Sequence, residues 1–175
     1  MTKWNIDASH TSVGFSVKHL MVSKVRGRFT GLEGTLEGNP EDLTGAKIEF
    51  KIDASTIHTN SVDRDNHLRS GDFFDTETYP NITFVTTDIV KKGNNKYELI
   101  GDLTVKDVTK KVTFKTDYEG TAVNPWGVKT AAFEAETKIS RKEFGLTWNQ
   151  TLEAGGVLVG DDIKITIDVQ ANPAE

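Results

Sequence analysis

No cysteine occurs among the 175 residues, which removes disulfides, thiolate nucleophiles, cysteine-type zinc sites and iron–sulfur clusters together. There is also no surplus of base: Lys and Arg number 21 against 26 Asp and Glu, a formal net charge of −5. A nucleic-acid partner is therefore not expected, because that affinity rests on cations neutralising phosphates. Nowhere do about 18 apolar residues run together, so stable membrane insertion is not expected either. The opening residues MTKWNIDASH carry neither a long apolar stretch nor a small-residue cleavage site, and the chain reads as cytoplasmic. Without secretion, the glycosylation-like triplets Asn81-Ile82-Thr83 and Asn149-Gln150-Thr151 have no use.

Chemical motifs are equally sparse. His10, His19, His58 and His67 form neither an H-x-H nor an H-E-x-x-H pair, so no metal site is assigned. There is no G-x-S-x-G elbow, and no Ser, His and Asp set stands out locally. The glycine-rich run from Gly155 to Gly160 lacks a following lysine and helix pattern, and reads as a loop entering the last strand rather than a phosphate cradle. No catalytic residue and no cofactor follow from this inventory.

What the sequence does contain is alternation. Ala46, Ile48, Phe50, Ile52 and Ala54 interleave with Lys47, Glu49, Lys51 and Asp53, which places one face of a strand in a dry interior and the other in water. Ile163, Ile165, Ile167 and Val169 repeat the pattern near the end. The same reading gives strands over residues 12 to 20, 27 to 37, 82 to 90, 96 to 105, 110 to 119 and 128 to 140, eight in all. Turns are expected at Gly38-Asn39-Pro40, Lys92-Gly93-Asn94-Asn95, Lys106-Asp107-Val108 and Asn124-Pro125-Trp126-Gly127. One short helix is expected over 61 to 69, capped by Ser61 and ended by Gly71. The two termini are expected to fray. Length and the absence of linkers predict a single domain over 1–175. Long strands favour a closed antiparallel barrel over a sandwich, since closure removes exposed edges.

Two groups of residues are candidates for function. Arg64, Asp65, His67 and Arg69 put four ionisable groups within six residues, beside Leu68 and the Phe73-Phe74 pair. Spacing favours an Asp65–Arg69 pair at (i, i+4) over a site, while Arg64 and His67 share one side of the helix. The aromatics Phe15, Phe29, Phe50, Phe84, Phe114, Phe133, Phe144, Trp126 and Trp148, with small residues such as Gly14 and Ala131, either fill a core or line an elongated pocket. Periodicity leaves both readings open.

Several segments carry a resemblance. Trp4-Asn5-Ile6-Asp7 with His10, Arg64-Asp65-Asn66-His67-Leu68, Asp72-Phe73-Phe74-Asp75, Tyr79-Pro80, Gly101-Asp102-Leu103-Thr104, Ser140-Arg141-Lys142-Glu143-Phe144-Gly145-Leu146 and Val159-Gly160-Asp161 follow one another as in the YceI-like family, which the chain resembles over nearly its whole length. The resemblance implies an extended, eight-stranded antiparallel, lipocalin-like β-barrel with one short helix. Its interior would hold a polyisoprenoid or isoprenoid quinone for transport, storage or protection. Members are mostly bacterial, some exported and some not, and this chain is similar to the second kind; homodimers are common, so a homodimer is expected. Carried over by position, Phe15, Val17 and His19 face the cavity or its mouth, and Phe29, Phe73, Phe84, Phe133, Phe144 and Trp148 are further lining candidates. Arg64, Asp65, His67 and Arg141 match polar landmarks, and either anchor a lipid head or pin the helix to the barrel. Lys106-Asp107-Val108-Thr109 stands where glycine often precedes Val-Thr, which leaves that turn open. Two other readings stand beside lipid binding: an enzyme acting on an isoprenoid-type lipid through Arg64, Asp65 and His67, and a stress-related protein with a closed, ligand-free core.

Overall fold

Side chains that alternate between apolar and polar force a sheet to curl until its apolar face meets itself. The computed structural model describes residues 2–20, 23–149 and 159–174. Among these lie eleven strands: β1 (Lys3–Ile6), β2 (Ser12–His19), β3 (Ser23–Phe29), β4 (Leu32–Asn39), β5 (Asp42–Asp53), β6 (Ile57–His58), β7 (Asn81–Gly93), β8 (Lys96–Val105), β9 (Val108–Val123), β10 (Lys129–Ser140) and β11 (Val159–Pro173). One α-helix, α1 (Val62–Arg69), interrupts them.

Closure is made by β1. Trp4 lies opposite Leu36 on one side and Pro173 on the other, so β1, β4, β5, β7, β8, β9, β10 and β11 form an eight-membered antiparallel ring. The expected barrel and its short helix are borne out. β2 pairs with the earlier half of β11, with Phe15 opposite Ile165, then β3 with β2, and β6 with the last residues of β3. β1 and β2 thus act as one interrupted stave of the barrel, and β3 and β4 as another.

The single strand expected over 27 to 37 is therefore two. It breaks at Thr30 and Gly31, whose N–H groups donate to Thr56 Oγ1 at 3.2 and 3.0 Å in place of a ladder partner. The stretch over 3 to 6 had no strand expectation, and its pairing also corrects the fraying expected of the termini: Asn5 lies opposite Asn172, and Ala174 N donates to Lys3 O at 2.8 Å. Two other local corrections are small. α1 ends at Arg69 with Ser70 as its cap rather than at Gly71, and the β4–β5 hairpin reverses at Pro40 and Glu41, with Asn39 paired to Asp42. The turn lacking glycine holds, because Lys106 itself takes the left-handed backbone at φ +58.

Trp4, Leu36, Ile48, Leu99, Phe133 and Val169 fill the lower half of the barrel. In the upper half, where the β2–β3 and β8–β9 turns lie, the edge of β3 facing away from β2 has no strand partner above Arg28 among the described residues. Residues 54–80 leave β5, cover that gap with α1, and return as β7.

The break between β1 and β2 is held by one carboxylate. Asp7 accepts from Ser9 N at 3.0 Å and the Ser9 hydroxyl at 2.6 Å, with His10 Nδ1 at 2.8 Å. The Ser9 hydroxyl first and the His10 contact second hold its pKa at about 2, below the ordinary 3.8. A pKa depressed by folding contributes stability that is complete above the unfolded value and is lost as pH falls through the folded one. Asp7→Asn is expected to lower stability by up to about 1 kcal/mol at neutral pH. The gap from wild type should close between pH 3.8 and about 2, as checked by urea unfolding across that range.

Candidate functional site

Under α1, the upper half of the barrel encloses a cavity of about 420 Å³ with an almost wholly apolar wall. That lies within the range of about 300–1,000 Å³ usual for small-molecule sites. Its floor is Phe50, Phe84, Phe114 and Ile167, which also roof a second, smaller void of about 30 Å³ in the lower half. Its cover is Leu68, Phe73 and Phe74, and its mouth lies where β2 ends and α1 begins, at Lys18, His19, Asp63 and Arg64.

The aromatics leave room because glycines stand beneath them. Phe15 lies directly across from Gly27, and Phe50 across from Gly34. Phe84 reaches over Gly101, where an added Cβ would stand 2.7 Å from its Cζ. At Gly27 a Cβ would likewise collide with the Phe15 ring and with Thr59 Cγ2 at 2.8 Å. Each ring therefore lies flat along the neighbouring strand instead of projecting into the lumen. Ring contacts support them there: Phe114 meets Phe84 edge-on at 4.9 Å and 75°, and Phe29 and Phe84 lie tilted against Phe15 and Phe50 at 5.6 and 6.4 Å.

Of the residues singled out from sequence, Phe15, Val17, His19, Phe29, Arg64, His67, Phe73, Phe84, Arg141 and Trp148 come together on this cavity. Phe133 lies on the smaller void beneath, and Phe144 is buried without lining either. Trp126, grouped with the interior aromatics, is 83% exposed at the β9–β10 turn, where Asn124 Oδ1 accepts from Trp126 N and Val128 N. Sequence reasoning missed the aliphatic wall, such as Leu103, Ile139 and Ile163; the alternation that placed Ile163 inward was its available signal. The glycine-rich run at 155 to 158 and Gln150-Thr151 of the second triplet lie outside the described residues.

The polar landmarks of α1 are committed to neighbouring protein groups. Asp65 is buried, and its Oδ1 accepts from both the N–H (2.9 Å) and the hydroxyl of Thr59, with His58 Nδ1 at 3.6 Å from Oδ2. Arg64 donates through Nε to Thr59 Oγ1 at 2.8 Å and through Nη2 to Thr59 O. The expected Asp65–Arg69 pair is not formed, because Asp65 turns inward to Thr59 while Arg69 donates to Ser55 O (2.9 Å), Asn66 Oδ1 (2.9 Å) and Ile57 O. His67 meets Asp72 at 2.8 Å and stands edge-on to Phe73 and Trp148 at 5.1 and 4.7 Å. These contacts tie α1 to residues 55–59, whose β6 pairs with β3, and to the Trp148 ring.

Arg141 is the most buried charge among the described residues, 2% exposed. Its Nε donates to Gly160 O at 2.8 Å, Nη1 to Leu146 O and Trp148 O, and Nη2 to Val159 O at 3.3 Å. Burial lowers its pKa, and Asp161 opposes that shift. Asp161 itself is held by the Ser140 hydroxyl at 2.6 Å and Lys142 N at 3.2 Å, which lower its pKa, the hydroxyl most. One guanidinium thus joins residues 146–148 to the start of β11.

The profile of the YceI-like domain matches residues 4–171. The chain belongs to the YceI-like family. It is 42% identical over 165 residues to a UPF0312 protein of Staphylococcus epidermidis, covering 94% of each, and 39% identical over 176 residues to one of Staphylococcus aureus, covering 100% of each. Among solved structures, the Campylobacter jejuni YceI protein superposes with a TM-score of 0.75 at 32% identity, over 97% of this chain and 96% of that one. Burkholderia cenocepacia BcnA (TM-score 0.82, 22% identity, 94% and 98% covered) and a polyisoprenoid binding domain from Saccharophagus degradans implicated in plant cell wall breakdown (0.76, 12%, 99% and 100%) share the fold.

Arg141→Met is expected to destabilise this YceI-like barrel by about 3–5 kcal/mol, because it leaves buried carbonyls without donors. Arg141→Lys should recover little, since a single ammonium lacks the planar fork that reaches several acceptors. Urea unfolding of both variants checks this, and full rescue by lysine would contradict it.

Proposed function

We propose that this protein binds one isoprenoid-type lipid, a polyisoprenoid or isoprenoid quinone, in the apolar cavity, for transport, storage or protection. The observation that carries the reading is the cavity itself: about 420 Å³, walled by aliphatic side chains and by rings laid flat over glycines. A barrel shut by its own aromatics would have no such space. The Saccharophagus degradans domain contributes the likeness of its container, and the wall of this chain's own cavity contributes the ligand class. Each buried CH₂ is worth about 0.8 kcal/mol before ordering costs, so a prenyl chain gains affinity with each unit until the space is full.

Binding is favoured over turnover. Catalysis needs a group free to meet substrate, whereas Arg64 and Asp65 are held by Thr59 and His67 by Asp72. The proposal includes a cytoplasmic homodimer, as the family resemblance implies, and sedimentation at twice the 19.3 kDa chain mass checks the dimer.

The first test is mass spectrometry of an organic extract of the purified protein against a mock purification. A stoichiometric prenyl lipid is the expected result, and an extract matching the mock control overturns the reading. Within a prenyl series, affinity should rise with chain length and then level off. Gly27→Val, which lifts the Phe15 ring into the lumen, should weaken binding of long chains at least tenfold. Phe84→Leu, which opens the floor toward the lower void, should move the plateau to longer chains. Isothermal titration of the two variants distinguishes these outcomes from a general loss of fold, which would weaken every chain length alike.

A further inference from the structure

On the barrel surface several lysines meet carboxylates of neighbouring strands. Lys51 meets Glu33 at 3.4 Å, Lys92 meets Glu98 at 3.2 Å, Lys96 meets Asp117 at 3.3 Å, and Lys164 meets Glu136 at 3.8 Å. The β2–β3 hairpin makes no such pair among the described residues, as is also true of Lys47, Lys110 and Lys138, and it differs from them in its local sequence. Between Asp7 and Glu33 the sequence contains no acidic residue, yet it holds Lys18, Lys24, Arg26 and Arg28.

Register puts all four on one face. Lys24 lies opposite Lys18, Arg26 opposite Ser16 and Arg28 opposite Gly14, and Arg28 adjoins His58 on β6. The four side chains are exposed, and none makes an ion pair or side-chain hydrogen bond among the described residues. Like charges directly opposite on a sheet repel, and Lys18–Lys24 is such a pair, as are Lys138–Lys164 and Glu134–Asp168 on β10 and β11; the hairpin's four cations add to one positive face. On the neighbouring β11, Lys164 lies opposite Ser16 and Asp168 opposite Ser12, with Lys164 meeting Glu136 at 3.8 Å.

This basic face ends at the cavity mouth, where two apolar side chains meet water. Leu20 is 44% exposed at the end of the hairpin, in a left-handed backbone at φ +54, and Val62 is 76% exposed at the start of α1. Basic side chains beside exposed aliphatic ones suit an anionic lipid surface, where phosphates meet the cations and the aliphatic groups enter the acyl boundary.

We propose that the outer face of the β2–β3 hairpin, with Leu20 and Val62 at its rim, docks the cavity mouth on an anionic lipid bilayer. The inference rests on the lipid-binding reading for its purpose, since a carried lipid must enter and leave a membrane. Its charge complementarity stands without that reading.

Flotation with vesicles tests it, using phosphatidylcholine alone against phosphatidylcholine and phosphatidylglycerol in equal parts. Salt is set at about 0.01 M and about 1 M, where charges are felt over about 30 and 3 Å. Binding is expected to the anionic vesicles at low salt and to be lost at high salt. Each cation near such a surface is worth about fivefold, so Lys24→Gln, Arg26→Gln and Arg28→Gln together should weaken binding about 100-fold. Lys91→Gln, Lys92→Gln and Lys96→Gln together, at the other end of the barrel, should leave it unchanged. Leu20→Ser with Val62→Ser should weaken it several-fold. Equal binding to both vesicle types, or equal losses in the two triple variants, overturns the proposal, with circular dichroism excluding misfolding. Retention on heparin without flotation assigns the face to a soluble polyanion and also overturns it. A protein that floats but whose extract holds no prenyl lipid overturns only the cargo reading; one that holds lipid but never floats overturns only the docking face.

Discussion

One edge of β11 serves two partners, and much of the architecture follows from that division. Near its end β11 pairs with β1 and closes the ring; near its start it pairs with β2. The two partners are successive parts of one chain, offset by the turn at Asp7, and the neighbouring stave must break too, at Thr30 and Gly31. Below the breaks the sheet is continuous and narrow enough to be filled. Above them β3 turns away from the ring, the wall gapes, and a segment without strands has to cover it. The hollow half and its cover are thus one consequence of how a single edge is shared.

Size alone does not keep that half open, since eight strands make a barrel that side chains can fill. Glycines at 27, 34 and 101 keep it open by letting Phe15, Phe50 and Phe84 lie along the sheet. The arrangement has an energetic cost. At about 24 cal/mol per Å³ of cavity, a dry void of about 420 Å³ corresponds to on the order of 10 kcal/mol. That is comparable to the whole net stability of a typical domain, about 5–15 kcal/mol. An apolar occupant recovers those contacts, so the same geometry that strains the empty barrel favours a filled one.

Alternation made most staves legible in the sequence, because a sheet with one dry face repeats every two residues wherever it is continuous. It failed where the chain departs from a single face. Residues 27 to 37 read as unbroken although Thr56, 25 positions from Gly31 in sequence, supplies the bond that breaks them. The four-residue β1 is too short to show a period, and its pairing with β4 and β11 is long-range. The helix and its Ser61 cap were legible because capping is local. The destinations of Asp65 and Arg69 were not, since both choose partners outside the helix. The aromatics could not be sorted by period: Phe84 lines the cavity, Phe144 lies in solid core and Trp126 stands in water, and only three-dimensional neighbours separate them.

The two halves of the site are held by different forces, and the difference bears on how the cavity is reached. The ring is secured by a continuous ladder and an apolar core, neither of which opens in part without exposing much of the rest. The cover is secured otherwise. α1 buries only Asp65 among its own residues, and its ties run through Thr59, Ser55 and Ile57 as hydrogen bonds. Such bonds are worth about 0.5–1.5 kcal/mol each, or about 1.5–3 where a charge takes part, and water replaces them when they break. Elements with few buried apolar contacts form the low-stability end of a structure. Beside the apolar anchors Leu68, Phe73 and Phe74, α1 itself is tied by polar contacts, which makes it the more weakly held part of the cover, next to the mouth of the cavity.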